Sequence, residues 1–189
     1  MGNKYINIHQ DLLGRCLDGD KSAQFEIYRL YYKSMYNSSL RIVGVPEEAE
    51  DIMQESFLTA FRKLKTYSSE VSFGAWLKKI VINRSLDVLR KRKVFFEELH
   101  AELPVLSEPE PEVESITVEE VKSAINSLSD GYRTILSLIL LDGYDHDEVS
   151  EILGIKNVTS RTQFSRARQR LRDILTENRK KQLKERIYG

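Results

Sequence analysis

Arginine is concentrated near the end of the sequence at a spacing that suits phosphate. Arg161, Ser165, Arg168 and Arg172 follow one another at steps of four, three and four, with Arg166 and Arg170 beside them. On a helix, such steps place residues on one stripe. Guanidinium groups grip phosphate oxygens with two parallel hydrogen bonds. A helix that enters a DNA groove reads base edges with its first residues and holds phosphate with the later ones. Thr159, Ser160, Arg161, Thr162, Gln163 and Ser165 are therefore the candidates for base contact. Arg166, Arg168, Arg170 and Arg172 are the candidates for phosphate contact. The competing reading is a basic helix on an unrelated bundle.

Two other stripes carry usable chemistry. Trp76, Lys79, Asn83, Asp87 and Arg90 also recur at steps of three and four, and Trp76 is the only tryptophan. An aromatic face stacks on bases, an amide reads adenine and cations hold phosphate. Equally, Trp76 could belong to the core and the rest to a solvated surface; these residues alone leave both readings open. Asp51, Gln54, Glu55 and Leu58 form the third stripe. A leucine exposed among acids and an amide is the pattern of a docking face for a partner helix, although single exposed leucines are common. Reaction chemistry has no such support. His9, His100 and His146 are scattered, Cys16 is the only cysteine, and no nucleophile–base pairing or phosphate-cradling glycine loop stands out. No catalysis, no cofactor and no metal site are expected.

The elements that must carry these stripes are nearly all helical. Strand-like alternation is absent and there are only four prolines, three of them within 104–111. The periodicity predicts helices over 7–18, 21–43, 46–65 and 73–93, with a loop from Thr66 to Ser72. Further helices are predicted at 118–128, 131–141, 146–153 and 158–180. Pro46 with Glu47 and Glu48 suits a helix start. Thr117 to Glu120 and Asp145 to Glu148 read as capping boxes. Gly154 ends the 146–153 helix just before the basic one, with Asn157 or Thr159 as the expected cap. Helix, glycine turn, helix is the helix-turn-helix pattern.

Net charge is zero, yet it is sharply segregated. Residues 78–93 hold seven Lys/Arg against one acid, and 156–188 hold eleven against three. Between them, 94–121 carries nine Glu and neither Lys nor Arg. Two basic surfaces with an acidic connector follow. The expected architecture is all-α: a four-helix domain over 1–93, a flexible acidic linker over 94–116, and a helix-turn-helix domain over 117–189. No apolar run approaches the roughly 20 residues that span a bilayer, so a cytoplasmic protein that does not itself insert into membranes is expected.

From about Asp11 to Leu175 the chain resembles the extracytoplasmic-function (ECF) sigma factors, compact members of the bacterial RNA polymerase sigma family. The residues that carry the likeness are Ala49-Glu-Asp-Ile-Met-Gln-Glu-Ser-Phe57 and Phe73-Gly-Ala-Trp-Leu77, followed by Asn83, Asp87, Leu89 and Arg90. Leu128-Ser-Asp-Gly-Tyr-Arg133, Glu151-Ile-Leu-Gly154 and Ser165-Arg-Ala-Arg168 are similar to the family's region 4. The resemblance implies that Asp51, Gln54, Glu55 and Leu58 dock on core RNA polymerase. It implies that Tyr67, Ser68 and the face with Trp76, Lys79, Asn83, Asp87 and Arg90 hold the downstream (−10) promoter element. The last helix would then read the upstream (−35) element of promoter DNA. An anti-sigma factor, commonly membrane-tethered, is a further implied partner. One departure from the family pattern is Val158, which stands where a glycine usually precedes the threonine. The alternative is an autonomous helix-turn-helix regulator, which would leave residues 1–93 with little to do.

Overall fold

Side-chain caps set where four of the described helices begin. In the computed structural model, which describes residues 9–92 and 116–188 with side chains to 182, the first unit contains α1 (Gln10–Leu17), α2 (Lys21–Val43), α3 (Pro46–Lys63) and α4 (Phe73–Arg90). The second contains α5 (Val118–Asn126), α6 (Asp130–Leu136), α7 (His146–Leu153) and α8 (Asn157–Tyr188). Chain contacts divide between residues 1–91 and 92–189. Among the described residues there is no strand, as expected of an all-α chain. The expected linker lies outside the described residues except for Ile116, as do positions 7, 8 and 93 of the expected helices.

In the first unit, Asp20 caps α2 by accepting from the Ser22 and Ala23 amides at 2.8 and 3.2 Å. The Arg15 guanidinium beside it holds the Asp20 carboxyl below the usual carboxylate range. Gly44 closes α2 at φ 75°, a left-handed conformation that a side chain would strain. Pro46 opens α3 at its first turn. Ser72 caps α4 by accepting from the Ala75 amide at 3.2 Å.

Helices α2, α3 and α4 pack on one another through small residues. The Ser85 hydroxyl donates to the Val81 carbonyl at 2.9 Å and lies 3.1 Å from the Ser39 hydroxyl, so both buried polar groups are satisfied where the helices cross. Gly74 brings α4 against α2 closely enough that an added Cβ would sit 2.9 Å from Tyr31 Cε1. Around these crossings Ile27, Met35, Ile42, Phe57, Phe73, Leu77, Ile82, Leu86 and Leu89 form the core. Cys16 is buried with them, and desolvation raises its thiol pKa, so it is a small core residue.

In the second unit both capping boxes form. Thr117 accepts from the Glu120 amide at 3.2 Å while Glu120 accepts from the Thr117 amide at 2.8 Å. Asp145 and Glu148 exchange the same bonds at 2.8 and 2.9 Å. Helix α6 departs from expectation. It widens into a π turn over Ser137–Leu141, which ends as the Asp142 and Tyr144 amides close onto the Ser137 and Leu138 carbonyls, both at 3.0 Å. Helix α8 is also longer than expected, reaching Tyr188. Asn157 is its first helical residue, so neither Asn157 nor Thr159 caps it.

Arg133, only 5% exposed, folds back to donate to the Leu128 carbonyl at 3.0 Å and pairs with the Asp130 carboxylate. A buried guanidinium is tolerated only when paired and hydrogen-bonded. That accounts for the Leu128-to-Arg133 segment. It ties the α5–α6 connection to the core of the second unit. Arg133→Met removes the charge and leaves the Leu128 carbonyl without this donor. The expected loss is about 3 kcal/mol in the opening free energy of α6, read by amide hydrogen exchange; unchanged α6 protection would refute this role for Arg133.

Candidate nucleic-acid interface

Helices α7 and α8 meet at the Gly154 turn, where φ is 70° and the Gly154 amide donates to the Ser150 carbonyl. The inner face of α8 is set by Ser160, Gln163, Ala167 and Ile174, all buried, with Phe164, Leu171 and Leu175 partly covered beside them. Phe164, Ala167, Leu171, Ile174 and Leu175 recur at helical spacing, which is why they share this face. Two candidate base readers are corrected. Ser160 is 0% exposed and Gln163 is 2% exposed. Both lie on the Ala167 face, so as folded neither reaches DNA.

Ser160 has a structural task instead. Its hydroxyl lies 2.9 Å from His146 Nδ1, and the His146 ring meets Phe164 edge-on at 5.5 Å. The first residue of α7 is thereby pinned to the first turn of α8. Sequence spacing held the signal, since Ser160 precedes Ala167 by seven and Gln163 precedes it by four. Polarity pointed the other way.

The outer face presents what remains. Arg161, Ser165, Arg168 and Arg170 are exposed, while Thr159, Thr162, Arg166 and Arg172 are partly so. Arg168 lies over the Phe164 ring, 5.9 Å from its centroid, which supports the guanidinium from below. The Thr162 hydroxyl donates to the Val158 carbonyl at 2.9 Å. Val158 itself was not among the candidates, yet it is 72% exposed next to Thr159. An apolar group there can touch a thymine methyl. Asn157 and Asp147 were missed as well: Asn157 accepts from Arg161 Nε at 2.8 Å and donates to Asp147. The four-residue step from Asn157 to Arg161 was the available clue.

The first unit carries the other two stripes. Asp51, Gln54, Glu55 and Leu58 are all exposed on α3, Leu58 at 56%. Gln54 donates to Glu50 at 3.2 Å. Arg84 of α4 reaches across to the Thr59 hydroxyl at 3.0 Å and to Glu55 at 3.6 Å, so the acidic stripe is braced from the neighbouring helix.

On α4, Lys79, Asn83, Asp87 and Arg90 are exposed. Arg90 pairs with Asp87 at 2.8 Å, so the stripe is less cationic than a count of lysines and arginines suggests. Trp76 belongs to neither alternative alone. It is partly exposed, with its ring 5.3 Å from Tyr67 and 5.7 Å from Phe73. Tyr67 packs on Phe73 and donates its hydroxyl to the Val71 carbonyl, closing the loop over itself. Ser68 is exposed at the tip, and Ser69 takes φ 59° there, a strained value for a residue with a side chain. The described residues contain no cluster of three or more His, Cys, Asp or Glu placed to hold a metal. No helix among them is long and apolar enough to cross a membrane.

Two helical units, one ending in a helix-turn-helix with a cationic outer face, define a DNA-binding protein. Comparison with known proteins narrows this. Residues 27–94 match Sigma-70 region 2 and residues 118–171 match Sigma-70 region 4. The chain is 32% identical to the ECF RNA polymerase sigma factor SigW of Bacillus subtilis, over 84% of this chain and 92% of that protein. It is 30% identical to the ECF sigma factor SigE of Mycolicibacterium smegmatis, over 85% of this chain and 65% of that longer relative. A similar fold occurs in the sigma factor RpoE of Bartonella quintana, solved with the anti-sigma factor NepR. That likeness has a TM-score of 0.56 and 23% identity over 80% of this chain and 95% of that one. The chain belongs to the ECF RNA polymerase sigma factors, which bind core polymerase and direct promoter recognition. A self-sufficient helix-turn-helix regulator is not favoured, because the region 2 match accounts for the first unit.

The Ser160 contact has a measurable consequence. Ser160→Ala removes only the hydroxyl that partners His146, and the expected cost is about 1 kcal/mol, or more if His146 is left unsatisfied. Urea unfolding followed at α8 would register it; an unshifted midpoint would mean that this hydrogen bond contributes nothing.

Proposed function

We propose that the two units divide promoter recognition between them. In this reading α3 docks on the clamp helices of the polymerase's largest subunit through Asp51, Gln54, Glu55 and Leu58. The loop with Tyr67 and Ser68, and the α4 face with Trp76, Lys79, Asn83, Asp87 and Arg90, hold the −10 element as it melts. Helix α8 enters the major groove of the −35 element. Val158, Thr159, Arg161, Thr162 and Ser165 meet base edges there, while Arg166, Arg168, Arg170 and Arg172 hold phosphate.

The observation that carries this reading is the sorting on α8. Ser160, Gln163, Ala167 and Ile174 face inward, while Val158, Arg161, Ser165, Arg168 and Arg170 stand exposed. The pattern matches a helix that must pack on its own domain and read a groove at once. Magnitudes assign the melting step to several groups acting together. Extruding a base costs a few kcal/mol, whereas stacking on one aromatic returns about 1–3 kcal/mol. Trp76 is therefore insufficient alone, and the cations and polymerase must contribute.

The protein works in the cytoplasm, beside polymerase, with no reaction or cofactor of its own. NepR holds the Bartonella sigma factor, and CnrH was solved with the cytosolic domain of CnrY. By that likeness we infer an anti-sigma partner for this chain.

Two outcomes test the division of labour. Leu58→Glu should weaken association with core polymerase about tenfold or more, as loss of a central apolar anchor does. Thermal unfolding should not change, because Leu58 is 56% exposed. Full retention of core binding by fluorescence anisotropy would remove α3 from the interface. On DNA, Arg161→Ala should lose about 1–3 kcal/mol and relax one position of the −35 element. Arg168→Ala should weaken all sequences alike and lower the salt slope by about one. Identical behaviour of the two variants would refute the split between base and phosphate contacts.

A further inference from the structure

Arg161 does not stand alone on α8. Its Nε donates to Asn157 Oδ1 at 2.8 Å, and Asn157 Nδ2 donates to Asp147 Oδ1 on α7. The Asp147 amide in turn donates to the cap residue Asp145 at 2.8 Å, which fixes where its carboxylate starts. A carboxylate on the first helix of the helix-turn-helix is thus linked through one amide to the guanidinium on the second. The relay has a direction. An amide gives a proton from nitrogen toward the carboxylate and accepts one at oxygen from the guanidinium. Neither a carboxylate nor an apolar group at position 157 could do both.

The relay occupies Nε and spares the two Nη groups of an exposed arginine. Two N–H donors held in a fixed plane are what bidentate reading of a guanine edge requires. We propose that Asp147 and Asn157 are positioning residues for Arg161, fixing the orientation in which its Nη pair meets one base of the −35 element. This deepens the proposed function and rests on Arg161 reading a base. All three side chains are at least partly exposed, so their bonds add little to folding stability. Their effect is to order a flexible side chain before DNA arrives, which is worth about two- to tenfold in binding.

The test uses the full chain bound to core polymerase. It selects from duplexes whose upstream element is randomised and whose downstream element is supplied as a pre-melted bubble. Asn157→Ala and Asp147→Ala should each lower discrimination about two- to tenfold, at the same base position that Arg161→Ala relaxes. The double variant Asn157→Ala/Arg161→Ala should do no more than Arg161→Ala alone. Asp147→Asn, which keeps an acceptor for Asn157, should retain the wild-type preference, and unfolding midpoints should be unchanged throughout. If Arg161→Ala relaxes one position while Asn157→Ala and Asp147→Ala leave it intact, the positioning role is overturned and the base reader stands. If Arg161→Ala weakens every sequence equally, the base reader itself fails and the relay's role fails with it. A uniform loss in Asn157→Ala with a lowered unfolding midpoint would show a structural part only, and that also overturns the proposal.

Discussion

Each residue of an α-helix is turned about 100° from the one before, and along α8 this rotation governs everything else. Once Ser160, Gln163, Ala167 and Ile174 are buried, residues at 158, 161, 165 and 168 have nowhere to go but outward. Ala167, fully covered, lets the helix lie close to its neighbours. The His146–Ser160 bond then locks its first turn against α7. Arg161, Arg168 and Arg170 reach solvent without the cost of burying charge. Function on this helix is a by-product of what its other face must do.

The same sorting operates in the first unit, with different means. The α2, α3 and α4 crossings are lined by serine, alanine and glycine, so the helix axes approach and the larger side chains interlock around them. That leaves the acids and Leu58 of α3 on one exposed face and the Lys79–Asn83 stretch of α4 on another. The 66–72 loop is tied down by its own aromatics. Tyr67, Phe73 and Trp76 pack in one cluster, and the Tyr67 hydroxyl holds the Val71 carbonyl. A loop held in this way has already lost much of the entropy that binding would otherwise have to remove. The positive φ of Ser69 is a strain that this surrounding structure maintains.

Charge acts on two scales. A net charge of zero says nothing about partners, because attraction to DNA depends on where cations lie within a screening length. On α8 they lie together on one face. On α4 the Asp87–Arg90 pair offsets part of the positive charge. An exposed pair of this kind is weak.

Helix content, the helix start at Pro46, the caps at Thr117 and Asp145, and the exposed stripe of α3 were all legible in the residues. They depend on local rules: which side chain can accept from a free amide, which residue tolerates a left-handed turn, and which positions share a helix face. The family likeness was equally legible, since it lies in ordered runs of residues. Other features were settled only by packing between helices. Ser160 and Gln163 look like surface residues by type, but they face the core because Ala167 does and helical periodicity takes them along. Trp76 could have been core or surface, and its neighbours Tyr67 and Phe73 left it partly both. The bond from Asn157 of α8 to Asp147 of α7 joins residues whose pairing no single helix specifies. The sequence by itself determined which groups each helix offers. Tertiary structure decided which of them stay outside, because a face becomes a surface only when the opposite face has found something to cover it.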